Sequence, residues 1–230
     1  MVEENNHGDK IMAKQEGHAS CLIMVDTSGS MYGDKIASVN AGISTFLEQL
    51  KADKRARETV DIAVISFGGS VNVVQEFSPA ALIDSIPSLS ADGGTPMGEA
   101  LDRAITMVLD RKHLYDAKGV QSFIPWIVMF TDGEPTDDIT FAKQRLDAEN
   151  AKSTSGKGRI QLWTLAVQGA NVALLQSLTK RNLYITDSDY TKIFDWTRKS
   201  LALVSASKPG DQVQLTPVEG AQTNIPTDWV

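Results

Sequence analysis

Short apolar runs alternate along this chain with longer stretches whose apolar residues recur at helical spacing, which predicts strands interleaved with helices. The first run, Cys21-Leu22-Ile23-Met24-Val25, is apolar at every position, the mark of a strand buried on both faces. Residues 35–52 then carry Ile36, Val39, Ile43, Phe46, Leu47 and Leu50 on one helical stripe, with Asp34 available as the cap. Residues 59–67 read as a second strand. Gly68-Gly69-Ser70 turns it into Val71-Asn72-Val73-Val74-Gln75-Glu76, a hairpin that supplies an antiparallel edge. A second long helix runs from Met97 to about His113 through Leu101, Ile105, Val108 and Leu109. Residues 114–123 form a polar connection to another apolar run, 124–130. Beyond it the pattern gives a helix at 137–152, a buried strand at 159–167, a short helix at 171–179 and a last strand at 183–186. A final helix, 189–205, turns Ile193, Phe194, Trp196, Leu201 and Val204 inward, which makes Trp196 a core residue.

This order predicts an α/β fold, a Rossmann-like doubly wound, mostly parallel central sheet with one antiparallel edge strand and helices on both faces. One domain is expected over residues 19–206, after a flexible polar arm at 1–18 and before a tail at 207–230. In the tail, Val213-Gln214-Leu215 is strand-like and Trp229-Val230 closes the chain; it reads either as packed on the domain or as a peptide for a partner. A chain of 230 residues, 42% hydrophobic, is long enough to bury one such core. Its single cysteine, Cys21, cannot form an internal disulfide and reads as a small core hydrophobe. A net charge of -7 argues against a general nucleic-acid binder. Lys51, Lys54, Arg55 and Arg57 do cluster at the end of the first helix, where cations complement the helix dipole. The polar start holds no apolar export segment and no stretch has the length of a membrane span, so a cytoplasmic protein without a membrane partner is expected. Gly156-Lys157-Gly158 lacks the phosphate-loop spacing and precedes a strand, which makes it a plain loop.

Candidate chemistry lies at the strand ends. Asp26-Thr27-Ser28-Gly29-Ser30 leaves the first strand with a carboxylate and two hydroxyls at alternate positions, where open α/β sheets bind ligands. Such oxygens suit a hard cation, magnesium rather than zinc, although the same residue types also build ordinary turns and helix caps. The later apolar run ends on Thr131-Asp132-Gly133-Glu134-Pro135-Thr136-Asp137 and brings Asp132 to the same edge. Between the two lies Asp92-Gly93-Gly94-Thr95-Pro96-Met97-Gly98. Here the glycine pair releases the backbone, and Pro96 both favours an extended Thr95 and can open a helix. Thr95 is then either an N-cap or a third hydroxyl ligand.

The Asp-x-Ser-x-Ser segment, the later Gly-Gly-Thr loop and the Thr-Asp-Gly turn, in that order, resemble the von Willebrand factor A (VWA) domain family and its metal-ion-dependent adhesion site. The resemblance runs from about Ala19 to about Ser205. It implies that Ser28, Ser30 and Thr95 reach a divalent cation through their hydroxyls, and that Asp26 and Asp132 act directly or through water. Magnesium is the implied cation, with manganese or calcium as alternatives. The same resemblance implies recognition rather than catalysis: an Asp or Glu carboxylate of a protein partner completes the coordination, and loop movement couples the site to the last helix. Tyr32 and Met97, beside ligand positions, and Glu134 in the adjacent turn would form the partner-binding rim. Glu134 and Asp137 read either as solvated turn residues or as charges that tune the site or repel an acidic partner. More narrowly, Val25-Asp26-Thr27-Ser28-Gly29-Ser30-Met31, Val39-Asn40-Ala41-Gly42, Gly94-Thr95-Pro96-Met97-Gly98 and Val167-Gln168-Gly169-Ala170 resemble bacterial stand-alone VWA proteins of the TerY type. That group is associated with tellurium-resistance and stress gene clusters, which implies a kinase or phosphatase of the same cluster as partner.

Two other classes stand beside this one. A magnesium-dependent phosphotransfer enzyme would use Asp26 as nucleophile, but haloacid-dehalogenase-like enzymes place a second acid two residues on, where this chain has Ser28, and no Gly-rich phosphate loop follows. A scaffold with a purely structural metal is the other. A serine hydrolase fits worse, since Ser28 and Ser30 lack the G-x-S-x-G setting and His7, His18 and His113 have no evident route to either.

Overall fold

Burial along the whole length of β1 (Ala19–Asp26) places it in the middle of the sheet. The computed structural model describes residues 10–132, 134–153, 158–166, 169–184, 190–208, 213, 215 and 222–224. In it β1 pairs in parallel with β2 (Val60–Gly68), which turns at Gly69 into the antiparallel β3 (Ser70–Pro79). On its other side β1 pairs in parallel with β4 (Trp126–Thr131), followed by β5 (Gln161–Ala166) and β6 (Asn182–Tyr184), all parallel. The mostly parallel sheet and its hairpin edge are as the pattern predicts. A further strand, β7 (Gln222–Asn224), comes from the tail and adds an antiparallel strand to β6, completing the order β3-β2-β1-β4-β5-β6-β7. The tail segment expected to be strand-like instead buries Leu215 in the core, with Val213 packed beside it; Gln214 lies outside the described residues.

Successive side chains of β1 serve opposite layers, as the strand period of two requires. Cys21, Ile23 and Val25 pack with α1 (Asp34–Ala52) and, beyond the short α2 (Ala56–Thr59), with the last helix of the chain; Leu22 and Met24 pack with α3 (Met97–Ala117), α4 (Thr140–Ala151) and α5 (Val172–Leu178). The last helix is α6 (Thr191–Ala206). Its Phe194 stacks on Phe130 of β4 at 4.5 Å, and its Trp196 meets Trp163 of β5 edge-on at 4.9 Å, which makes Trp196 core, as expected. Burial pushes the Cys21 thiol far up, so it is inert packing.

Several boundaries move. Asp34 sits in the first turn of α1 and does not cap it; Gly33, at φ 84°, holds the cap position. The segment taken as a polar connection after His113 is helical to Ala117, because Tyr115 is buried and its hydroxyl donates to the carboxylate of Asp61. Arg111, one turn earlier, donates to the same carboxylate from Nε at 2.9 Å, and its Nη2 holds the carbonyl of Lys10 at 3.0 Å. The expected free arm is therefore packed from Lys10 onward, with Ile11 against Tyr115 and Val120, and with His18 buried; residues 1–9 lie outside the described ones. So do the ends of three predicted elements, at residues 167, 185, 186 and 189. The basic residues near the end of α1 do structural work: Lys51 donates to the Ile83 carbonyl at 2.9 Å and Arg55 pairs with Glu16 at 2.8 Å. Among the described residues no helix is long and apolar enough to cross a membrane.

Candidate metal centre

The sheet order reverses at β1, since the chain moves outward to β2 on one side and later returns to add β4 on the other. Ligand crevices of open α/β sheets form at the carboxyl ends of the strands flanking such a reversal. Those ends are Asp26 and Thr131, one step beyond the paired Val25 and Phe130.

From there a continuous hydrogen-bonded set runs through four of the predicted residues, Asp26, Ser28, Ser30 and Asp132. Asp26 is buried; its Oδ2 accepts from the Thr131 hydroxyl at 2.6 Å and its Oδ1 from the Ser28 backbone N–H at 2.8 Å. The hydroxyls of Ser28 and Ser30 lie 2.9 Å apart, and Ser30 donates to Asp132 Oδ1 at 2.6 Å. Burial raises the Asp26 carboxyl above the ordinary aspartate range; hydrogen bonds from Ser28 and Thr131 oppose that rise and the charge of Asp132 adds to it.

Thr95 arrives on a loop stitched to both neighbours. Gly29 N–H donates to the Gly93 carbonyl at 3.0 Å and Asp92 N–H to the Thr27 carbonyl at 2.7 Å. On the far side Thr95 N–H donates to the Thr136 hydroxyl at 2.9 Å, and Thr136 N–H returns to the Thr95 carbonyl at 2.9 Å. This packing requires glycine at two places: a Cβ on Gly68 would lie 2.1 Å from the Thr27 carbonyl oxygen, and one on Gly93 would lie 2.6 Å from Gly69 Cα. Thr95 does not cap α3, because Pro96 occupies that position. Asp137 supplies the missing acceptors from the β4–α4 loop, taking Gly98 N–H at 2.9 Å and Glu99 N–H at 2.8 Å. Read from the sequence as a solvated turn residue, Asp137 is a brace between two loops of the site.

The expected rim separates into different parts. Tyr32 is 81% exposed, beside the exposed Ser30. Met97 is 0% exposed and packs with Leu22, Met24 and Leu101, so it is a core residue and not part of the rim. The first turn of α3 faces the sheet there, which spacing along the loop does not reveal. Glu134 is exposed and accepts from Asn171 Nδ2 at 2.5 Å, tying the turn to the start of α5. Three further groups whose roles the sequence pattern does not mark support the site: the Thr131 and Thr136 hydroxyls described above, and Lys35 in the first turn of α1, which places its ammonium on Asp132 Oδ2. The only sequence signal of Lys35 is a cation five residues after Ser30, at the helix end where the dipole disfavours one.

The chemistry of the donors fits a hard divalent cation. Among the described residues no three His, Cys, Asp or Glu side chains gather as a metal-binding group. The set available here is two carboxylates with the hydroxyls of Ser28, Ser30 and Thr95, all oxygen, which suits magnesium, manganese or calcium and not zinc.

Similarities to known proteins agree with this architecture. The chain is 30% identical to inter-alpha-trypsin inhibitor heavy chain H6 of Homo sapiens over 171 residues, 70% of this chain and 12% of that one. An uncharacterised protein of Methanocaldococcus jannaschii is 29% identical over 137 residues, 58% of this chain and 28% of the other. The chain thus spans less than a third of the length of these relatives. Among solved structures, the pilus adhesin SpaC of Lactobacillus rhamnosus GG superposes with a TM-score of 0.62 at 14% identity, over 82% of this chain and 30% of that one. A von Willebrand factor type A protein of Catenulispora acidiphila superposes at 0.58 with 19% identity, over 81% and 43%. At such identities what is shared is the fold. The family pattern of the von Willebrand factor type A domain matches residues 22–198, from β1 into α6, and this chain belongs to that family.

Proposed function

We propose that the domain is a metal-dependent protein-recognition module, in which Asp26, Ser28, Ser30, Thr95 and Asp132 hold one divalent cation, magnesium by donor chemistry. The observation that carries the proposal is the unbroken hydrogen-bonded set from Thr131 through Asp26, Ser28 and Ser30 to Asp132 at the sheet reversal. The cation supplies a positive centre with a coordination position for an Asp or Glu carboxylate of the partner. Neutral hydroxyls among its ligands leave most of that charge available, and the exposed Tyr32 and Glu134 border the approach. The pilus adhesin among the structural relatives is consistent with a role in recognition.

Binding is favoured over turnover by the state of Asp26. Both of its oxygens are engaged by donors of this chain, and Ser28 stands where a phosphotransfer enzyme needs its second acid. His18 lies at the far end of β1 from Ser28 and Ser30, and His113 is exposed on α3. The motifs shared with TerY-type proteins extend the proposal to a cytoplasmic bacterial protein of a stress or tellurium-resistance system, with a kinase or phosphatase as the acidic partner.

The test is water-proton relaxation of the manganese-loaded domain. Acetate should lower the enhancement by replacing water on the cation, acetamide should not, and Thr95→Val should weaken manganese binding while the fold persists. Acetate without effect overturns carboxylate recognition. Turnover of p-nitrophenyl phosphate with magnesium, abolished by Asp26→Asn, would replace this reading with the enzyme.

A further inference from the structure

Lys35 is not an ordinary surface lysine. Its side chain is 28% exposed while that of Asp132 is 1% exposed, so the ammonium lies over a carboxylate withdrawn from water. A cation in the first turn of a helix opposes the helix dipole, and the contact with Asp132 offsets that cost. The remaining oxygen of Asp132 is taken by the Ser30 hydroxyl. A Cβ on Gly169 would lie 3.9 Å from Lys35 Nζ and 3.8 Å from the Asp132 carbonyl, so the ammonium sits between the start of α1 and the loop after β5. One of the two carboxylates of the centre is therefore already paired with a cation of the chain itself.

We propose that Lys35 is a resident counter-cation of the metal centre, which holds Asp132 while no metal is bound and sets a weak metal affinity. This inference rests on the metal-dependent reading above. Two effects act in the same direction. A divalent cation gains Asp132 only by displacing the ammonium, and a displaced ammonium that stays nearby repels the cation, because like charges a few ångströms apart at a protein surface are only partly screened. Lysine suits such an exchange: a compact charge on a flexible four-carbon stem swings to water without disturbing the backbone. Metal binding then releases a positive charge near Tyr32, on the face that an acidic partner would approach. The domain would keep its loops in register without metal, bind metal weakly by itself and hold it more tightly once a partner carboxylate joins the coordination.

The experiment is a manganese titration of the whole chain, read as free manganese by electron paramagnetic resonance. Wild type is compared with Lys35→Met, Lys35→Gln and Lys35→Arg, and with Lys54→Gln as a control for net charge at an exposed site beyond the other end of α1. Lys35→Met and Lys35→Gln should bind at least about tenfold more tightly than wild type, equivalent to about 1.4 kcal/mol. Lys35→Arg should stay near wild type, and Lys54→Gln should change affinity less than about twofold, as a distant, screened charge does. Thermal unfolding in chelator supplies a second readout: Lys35→Met should melt below wild type, then gain more from added manganese. Equal or weaker manganese binding by both folded neutral variants, with wild type binding normally, overturns the role of Lys35 and leaves the metal centre standing. Absence of saturable binding in every variant overturns both.

Discussion

Replacing Asp26 by asparagine should stabilise the metal-free protein at neutral pH while removing its metal binding. Asp26 is fully buried, and its carboxyl is raised above the ordinary range even though two donors reach it. The ionised form is therefore a net cost to the fold, about 1.4 kcal/mol for each unit of that rise. Asparagine keeps the shape: Oδ1 still accepts from Ser28 N–H, and Nδ2 donates to the Thr131 hydroxyl, which rotates to accept. It also relieves the repulsion from Asp132. The substitution should therefore raise Tm in chelator at pH 7, by about 2–4 °C for each kcal/mol gained in a domain of this size. Because the folded state holds the Asp26 proton more tightly than the unfolded chain, wild-type stability falls as pH rises from the ordinary aspartate value through the raised one. The advantage of asparagine is thus largest at pH 7 and is lost only as pH falls below the ordinary aspartate value of about 3.9, where both states of the wild type become protonated. The assay is thermal unfolding in chelator across that range, repeated at pH 7 with magnesium, where only wild type should gain stability by mass action. A lower Tm for Asp26→Asn at pH 7 in chelator, or an advantage that grows as pH falls, would refute the reasoning.

Other positions make separable predictions. Asp137→Ala removes two acceptors from the first turn of α3 and should cost about 1 kcal/mol, with faster hydrogen exchange at Gly98 and Glu99; unchanged exchange would show the brace to be idle. Arg111→Met strands the buried Asp61 carboxylate and should cost about 3–5 kcal/mol in urea unfolding, whereas adding Asp61→Asn should recover part of that loss. Met97→Ala should destabilise by about 2–5 kcal/mol, as truncation in a packed core does. Tyr32→Ala should move stability by no more than about 0.5 kcal/mol, and should weaken partner capture if the rim lies there.

What the sequence made legible is local. Cys21 to Val25 and residues 124–130 are apolar without interruption, the first followed by Asp26 and the second by Thr131-Asp132, so two central strands and their chemistry are read together. Thr95 is marked by the glycines before it and the proline after it. The illegible part depends on how elements are set against one another. Lys35 meets Asp132 across 97 residues of chain, and Asp137 caps a helix 39 residues before it; neither spacing is a motif. Met97 follows Thr95 by two positions, yet the way α3 settles on the sheet decides that it turns into the core. Ile11 and Tyr115 sit in polar stretches, where single apolar residues carry no period; only their meeting at the end of α3 shows that the arm is part of the fold. The strand β7 is invisible for the same reason, since three residues gain their identity from the free edge of β6.

The central claim is that the ends of β1 and β4 surround a single divalent cation. Manganese titration of wild type beside folded Asp26→Ala and Asp132→Ala variants, with magnesium as competitor, tests it most directly. One saturable site, displaced by magnesium and lost in both variants, is the expected result. Wild type without a saturable site, or binding that survives either substitution, would contradict it.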